Sequence, residues 1–390
     1  MTDGLVDRLD AGPAERQPHR SRPTRRRVGR AVVAGLATSV VLLGVTLATS
    51  RGWGPPPTLA PLDVAAVPVV DPPDRHLPYA FVDRSETVVA GGLRARVVRP
   101  RGAEGTLPGI VLVAGSGRTT RDDLADEAEA LARGGLVVLT YDKRREGYSP
   151  VARDYGRLAD DALAALDVVA RQPAVDPGRL GLLGFSEGTW VVPLAAAREP
   201  SRVAFTVLVS APVVSPLEQA TWTVDRRLAS APGLVRSSAA TLLGMGRPVL
   251  GHLGADVRPA LAATTQPCLA VWGADDPTLP VRVAVDRLEA ATDGRCAVEV
   301  VGGAGHRVPL ASGWAERASD WVRRGFPEDR VVRGAQPSSL VGLPTPPRPT
   351  LLADPRLHLA LTALAALVAA AWPVRRPGRV EGVRTSSRRG

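Results

Sequence analysis

Apolar and polar positions alternate in blocks through the middle of the chain. Short apolar runs at Ile110–Ala114, Leu136–Tyr141, Leu180–Gly184, Val203–Ser210, Leu269–Trp272 and Ala297–Val301 read as strands. Amphipathic stretches at Arg121–Arg133, Asp160–Arg171, Arg282–Ala291 and Ala315–Arg324 read as helices between them. Thr87–Val98 reads as a hairpin around Gly91-Gly92. Strands that are apolar along both faces and alternate with helices predict an α/β domain. Its sheet is mostly parallel, with helices on both faces. Between 211 and 266 the alternation stops, and helical stretches such as Gln219–Leu228 predict a helical cap insert over the C-terminal edge of the sheet.

Two further apolar runs flank this domain. Ala31–Thr49 is uncharged and follows Arg25, Arg26, Arg27 and Arg30; Leu357–Val374 carries no formal charge and precedes Arg375, Arg376 and Arg379. At 1.5 Å per residue each reaches about 27–28 Å, close to the bilayer core. The predicted order is a basic cytoplasmic tail (1–30), a transmembrane helix or signal anchor (31–50), a proline-rich linker (51–77) and the globular domain (78–333). A second proline-rich linker (334–356), a second transmembrane helix (357–374) and a basic cytoplasmic tail (375–390) follow. For the first run the alternative is a cleaved signal peptide, since Ala48-Thr49-Ser50 fits a small-x-small site. For the second it is a buried core helix.

The net charge of +10 suggests nucleic-acid binding until it is located. Residues 1–30 hold eight Arg against four acids, 371–390 hold six against one, and the remainder balances to +1. Basic clusters outside two apolar runs describe membrane topology, with both termini in the cytoplasm and the domain extracytoplasmic at the cell membrane. This reading names the membrane as a partner and excludes nucleic acid. Cys268 and Cys296 each begin a predicted strand; they can pair only if those strands are neighbours, and otherwise are small buried residues.

Candidate chemistry centres on Ser186, in Gly184-Phe185-Ser186-Glu187-Gly188 at a predicted strand end with a helix after it. A G-x-S-x-G turn of this kind holds a serine hydroxyl out of the backbone, beside helix N–H groups. A serine needs a base, normally histidine. His19 and His358 belong to the tail and the second membrane run, and His76 to the first linker region. His252 lies in the cap, whereas His306 ends the loop Gly302-Gly303-Ala304-Gly305-His306 directly after a strand. Trp272-Gly273-Ala274-Asp275-Asp276-Pro277 follows the preceding strand and supplies the carboxylate, Asp276 first and Asp275 in reserve. The backbone N–H groups of Glu187 and of Ser116, in Gly115-Ser116-Gly117, are the candidate oxyanion donors.

From about Glu86 to Arg324 the chain resembles the α/β-hydrolase superfamily, and within it the bacterial branch of dienelactone hydrolases and serine aminopeptidases. Three motifs carry the resemblance: Val111–Gly117 with Arg121-Asp122, Tyr141-Asp142-Lys143-Arg144, and Gly184–Gly188. Phe185, Thr189, Arg145 and Arg118 depart from the branch pattern without removing a triad member. The resemblance implies an α/β-hydrolase fold, esterase or peptidase activity and no cofactor or metal. The expected function is a membrane-anchored serine hydrolase acting through Ser186, His306 and Asp276 on a small-molecule, lipid-like or peptide substrate. The alternatives are a catalytically silent binding or scaffold protein and an acyltransferase. A transporter is disfavoured, because the apolar runs hold no ionisable residue beyond His358 at one end.

Overall fold

Strands and helices alternate in the computed structural model as the apolar pattern predicts. The structure describes residues 25–64, 77–149, 151–327, 332–348 and 350–372. Most of both basic tails, with His19, and residues 65–76 of the first linker region, with His76, lie outside them. The described residues fall into two compact units, one within 1–48 and 356–390 and the other within 49–355.

The first unit holds helices α1 (Arg25–Thr49) and, at the other end of the chain, α10 (Pro355–Ala371). Ser39 Oγ lies 3.0 Å from Thr362 Oγ1, and Thr46 Oγ1 lies 3.1 Å from His358 Nε2. Among the described residues one helix, Arg27–Thr49, is long and apolar enough to cross a membrane. Helix α10, at 17 residues, is shorter, and the end of the predicted run at Val374 lies outside the described residues.

The second unit is built on strands β1 (Val82–Val89), β2 (Leu93–Pro100), β3 (Leu107–Val113), β4 (Val137–Tyr141), β5 (Tyr148–Ser149), β6 (Ala152–Arg153), β7 (Val175–Phe185), β8 (Phe205–Val209), β9 (Cys268–Gly273), β10 (Cys296–Val301) and β11 (Val332–Gly334). Its helices are α2 (Ala125–Arg133), α3 (Tyr155–Ala170), α4 (Gly188–Arg198), α5 (Pro216–Arg227), α6 (Gly233–Gly246), α7 (Arg258–Ala263), α8 (Val281–Thr292) and α9 (Trp314–Arg323). Among the described residues, nine strands form one sheet in the order β1-β2-β4-β3-β7-β8-β9-β10-β11, while β5 and β6 form a separate small hairpin. Strands β1, β2 and β4 pair antiparallel; all other pairs in the large sheet are parallel.

Side-chain alternation along each strand builds a core on both faces. Val111, Val113, Leu182, Leu208, Ala270 and Trp272 pack with residues of α3, α4 and α8. Their neighbours Ile110, Leu112, Leu183, Val207, Val209 and Val271 pack with α2 and α9 on the other face. After β3 the chain crosses one way to β4, and after β7 it proceeds the other way to β8. The C-terminal ends of β3 and β7 therefore meet at the switch point of the sheet, where α/β proteins bind ligands.

The structure revises several sequence boundaries. The predicted hairpin is longer, with Val82 opposite Pro100. Helix α2 begins at Ala125 rather than Arg121, because buried Arg121 bonds Asp142 and Glu86 instead of joining the helix. The cap contains α5, α6 and a single 3-10 turn at Gly251–Gly254. Ser215 starts α5 through a reciprocal capping box with Glu218, followed by Pro216 at the first helical position. Helix α7, assigned to the cap by the sequence reading, belongs to the body, since Val257 and Leu261 are buried in the core with α8. The three-residue strand β11 was too short for a periodicity signal.

The proline-rich stretches run extended, as expected, but they are not free spacers. They pair with each other through antiparallel bridges at Arg51–Arg348, Gly54–Thr345 and Thr58–Val341. Leu62 is buried in the main core, and its backbone exchanges hydrogen bonds with the Gln336 amide at 2.9 and 2.8 Å. Trp222 of the cap donates through Nε1 to Val341 O at 3.2 Å. Cys268 and Cys296 stand directly opposite each other on β9 and β10 and form a disulfide, which answers the question their sequence positions raised.

Candidate active site

Ser186 follows the last residue of β7 with φ of +47°, in the left-handed region that non-glycine residues rarely enter. Its N–H donates to Val209 O at 2.9 Å, anchoring the turn on β8. The chain must then reverse at once into α4. A Cβ on Gly188 would stand 2.2 Å from Val113 O, so only glycine lets the elbow approach β3 this closely.

His306 lies in the loop after β10. Its Nε2 is 3.0 Å from Ser186 Oγ, and its Nδ1 is 2.7 Å from Asp276 Oδ2. A carboxylate only accepts, so Nδ1–H donates to Asp276 and Nε2 faces the serine hydroxyl as an acceptor. Asp276 is buried after β9. Its other oxygen, Oδ1, accepts from Thr278 N–H at 2.8 Å, Thr278 Oγ at 2.8 Å and Leu279 N–H at 3.2 Å. Asp275, the reserve candidate, is exposed. The acid strand and the histidine loop touch backbone to backbone: a Cβ on Gly273 would fall 2.2 Å from Gly305 O. Ser210 Oγ donates to His306 O at 2.6 Å, fixing the loop from the other side. His252 sits on the 3-10 turn of the cap, and burial, followed by the Arg153 charge, lowers its pKa.

The structure thus brings together Ser186, His306 and Asp276 from three strand ends. Ser116 is exposed on the loop after β3. A Cβ on Gly115 beside it would lie 3.6 Å from Ser186 Cβ, so this loop borders the serine. Glu187 is the buried first residue after the serine.

A charged network under this loop was missed by sequence reasoning. The Glu187 carboxylate, valued in the sequence only for its backbone N–H, accepts from Lys143 Nζ at 2.9 Å, from Tyr148 Oη at 2.7 Å and from Arg153. Lys143 also donates to Gly115 O, and Gly117 N–H donates to Tyr148 Oη at 3.0 Å. Burial, reinforced by the bond to Glu187, pushes the Tyr148 hydroxyl up to about 12. The available signal was Tyr141-Asp142-Lys143-Arg144, each charged member of which has a partner: Asp142 binds Arg121, Lys143 binds Glu187 and Arg144 grips Asp161 through two bonds of 2.6 Å. Among the described residues no group of three His, Cys, Asp or Glu side chains is arranged to hold a metal ion. A cavity of about 840 Å³ lies between the cap helices and the second proline-rich stretch; it is lined by Glu218, Met245, Arg258 and Arg287 and by none of Ser186, His306 and Asp276.

No family model matches the chain. It is 31% identical over 228 residues to the uncharacterized protein Rv2307c of Mycobacterium tuberculosis, covering 57% of this chain and 71% of that protein. Among solved structures it is similar to a Pyrococcus furiosus esterase (17% identity, TM-score 0.45, 70% of this chain and 98% of that one). It is also similar to a putative dienelactone hydrolase from Klebsiella pneumoniae (17% identity, TM-score 0.41, 63% and 97%). The strand order and the serine elbow at the switch point are those of the α/β-hydrolase fold, and the likeness to the mycobacterial protein places the two in one family.

Proposed function

We propose that this protein is a membrane-anchored serine hydrolase whose catalytic domain is extracytoplasmic. The observation that carries the catalytic part is the continuous line Ser186 Oγ–His306 Nε2 at 3.0 Å and His306 Nδ1–Asp276 Oδ2 at 2.7 Å. Ser186 Oγ attacks an ester, thioester or amide carbonyl while its proton passes to His306 Nε2. Asp276 keeps the imidazole in the tautomer that can receive that proton. The N–H groups of Glu187 and Ser116 hold the oxyanion. Collapse of the tetrahedral adduct breaks the bond to the leaving group, which takes the proton from His306. Water, deprotonated by the same histidine, then cleaves the acyl-enzyme and regenerates Ser186. The substrate classes that fit are a small or lipid-like acyl compound and a peptide, with the cap above the strand ends controlling access.

Purified full-length protein is expected to form a fluorophosphonate adduct on Ser186, detected by peptide mass, and Ser186→Ala is expected to form none. A well-folded wild type that stays unlabelled would overturn the reading in favour of a silent scaffold.

The apolar helix Arg27–Thr49, the basic residues before it and the Cys268–Cys296 disulfide support the location, since disulfides persist in oxidising compartments. With both runs spanning, a periplasmic reporter fused after residue 52 is active and one fused after 380 is silent. An active periplasmic reporter at 380 would sink the two-span arrangement.

A further inference from the structure

The chain keeps one lysine among 49 basic residues, and that lysine is buried beside the serine elbow. The Lys143 and Glu187 side chains are 6% and 1% exposed and 2.9 Å apart. Two charges withdrawn from water this far gain little net stability from each other, because desolvation offsets most of their attraction. A buried pair of this kind therefore calls for an explanation other than stability, and its geometry supplies one.

Lys143 Nζ donates to Gly115 O. The peptide joining Gly115 to Ser116 is trans, since the described residues contain no cis bond. In a trans peptide the C=O and the following N–H point in opposite directions. Drawing Gly115 O toward Nζ therefore turns Ser116 N–H away from the lysine. Glu187 holds Nζ in place, and the same carboxylate takes the Tyr148 hydroxyl proton, leaving the Tyr148 oxygen to accept from Gly117 N–H. Both ends of the Gly115-Ser116-Gly117 loop are thereby tied to one side chain. The Tyr148 ring lies 4.7 Å from Nζ and closes the space around it. An ammonium is a compact donor that can serve Gly115 and Glu187 at once, whereas a planar guanidinium presents its N–H groups in a fixed fork.

Resting on the serine-hydrolase reading above, we infer that Lys143 is a positioning residue: held by Glu187, it aims the Ser116 N–H into the oxyanion site and so couples the second oxyanion donor to the elbow that carries the first. It touches no substrate atom. Its contribution belongs to the transition state, where charge develops on the carbonyl oxygen.

The test uses full-length protein, a p-nitrophenyl acyl ester and a trifluoromethyl ketone of the same acyl chain, which forms a tetrahedral adduct. Lys143→Met is expected to lower kcat about 100-fold, the loss typical of one oxyanion donor, with KM within threefold. The inhibition constant of the ketone rises by a similar factor. Burial holds the Lys143 ammonium below the ordinary lysine value, so the wild type loses kcat on the alkaline side as that proton leaves, and Lys143→Met lacks this limb. Lys143→Met leaves the buried Glu187 carboxylate with Arg153 as its cation, so the double variant Lys143→Met/Glu187→Gln removes one positive and one negative charge together and restores the net charge of the cluster. It is expected to fold and to stay as slow as the single variant. Recovery of kcat in the double variant would make Lys143 a mere counter-charge and overturn the inference. So would a kcat within threefold of wild type in Lys143→Met, or failure of both variants to fold. Absence of any Ser186-dependent turnover in the wild type would instead strike the hydrolase reading itself.

Discussion

Replacing His306 by alanine is expected to lower kcat by roughly 10⁶-fold, about the same as replacing Ser186 or both residues together. The shared value is the informative part. Among the described residues, Ser186 Oγ has one basic neighbour within hydrogen-bond reach, His306 Nε2 at 3.0 Å. Without that acceptor the hydroxyl keeps its proton, and a neutral alcohol is a poor nucleophile at neutral pH. Once either partner is gone, the other has nothing left to do, so the second substitution adds little. Residual hydrolysis above water would come from the oxyanion donors and from substrate binding. Steady-state kinetics on the two single variants and the double variant check this. Additive losses, with the double slower than either single by several orders of magnitude, would mean that serine and histidine act in separate steps.

Asp276→Asn is expected to reduce kcat by about 10⁴-fold with little change in KM. An asparagine fits the same space, but its amide can present an N–H where Oδ2 now accepts. Three donors already converge on Oδ1, from Thr278 N–H, Thr278 Oγ and Leu279 N–H. They hold the amide oxygen on that side and turn the NH₂ group toward His306. The imidazole then answers with Nδ1 unprotonated and Nε2–H pointing at the serine, the tautomer that cannot accept a proton. Asp275→Asn, at the exposed neighbour, is expected to stay within threefold of wild type. Equal losses at both positions would remove Asp276 from the triad.

Much of this was legible along the chain, for physical reasons that vary by element. Strands buried on both faces read as largely apolar runs, so β3, β4, β8, β9 and the second half of β7 were visible directly. Ser186, His306 and Asp276 stood out as candidates because each follows a strand on a glycine-bearing turn. The Glu187 network was hidden because its members are polar at positions where pattern reading expects solvent. Their burial is decided by contacts between residues 34 to 44 positions apart. Helix α7 was misassigned because six residues cannot show a period. The pairing of the proline-rich stretches was hidden for a related reason: proline removes backbone donors, and isolated bridges leave no alternating signature.

That pairing has a consequence for synthesis. Leu62 and Gln336, whose groups satisfy each other, stand 274 residues apart. At about 5–20 residues per second a ribosome needs roughly 15–55 s to deliver the second after the first. Throughout that interval the segment around residues 51–62 has no strand to lie against and Leu62 has no finished core to enter. The earliest part of the body to be made is thus among the last to settle, and a nascent chain stopped before residue 336 carries an open seam along its side.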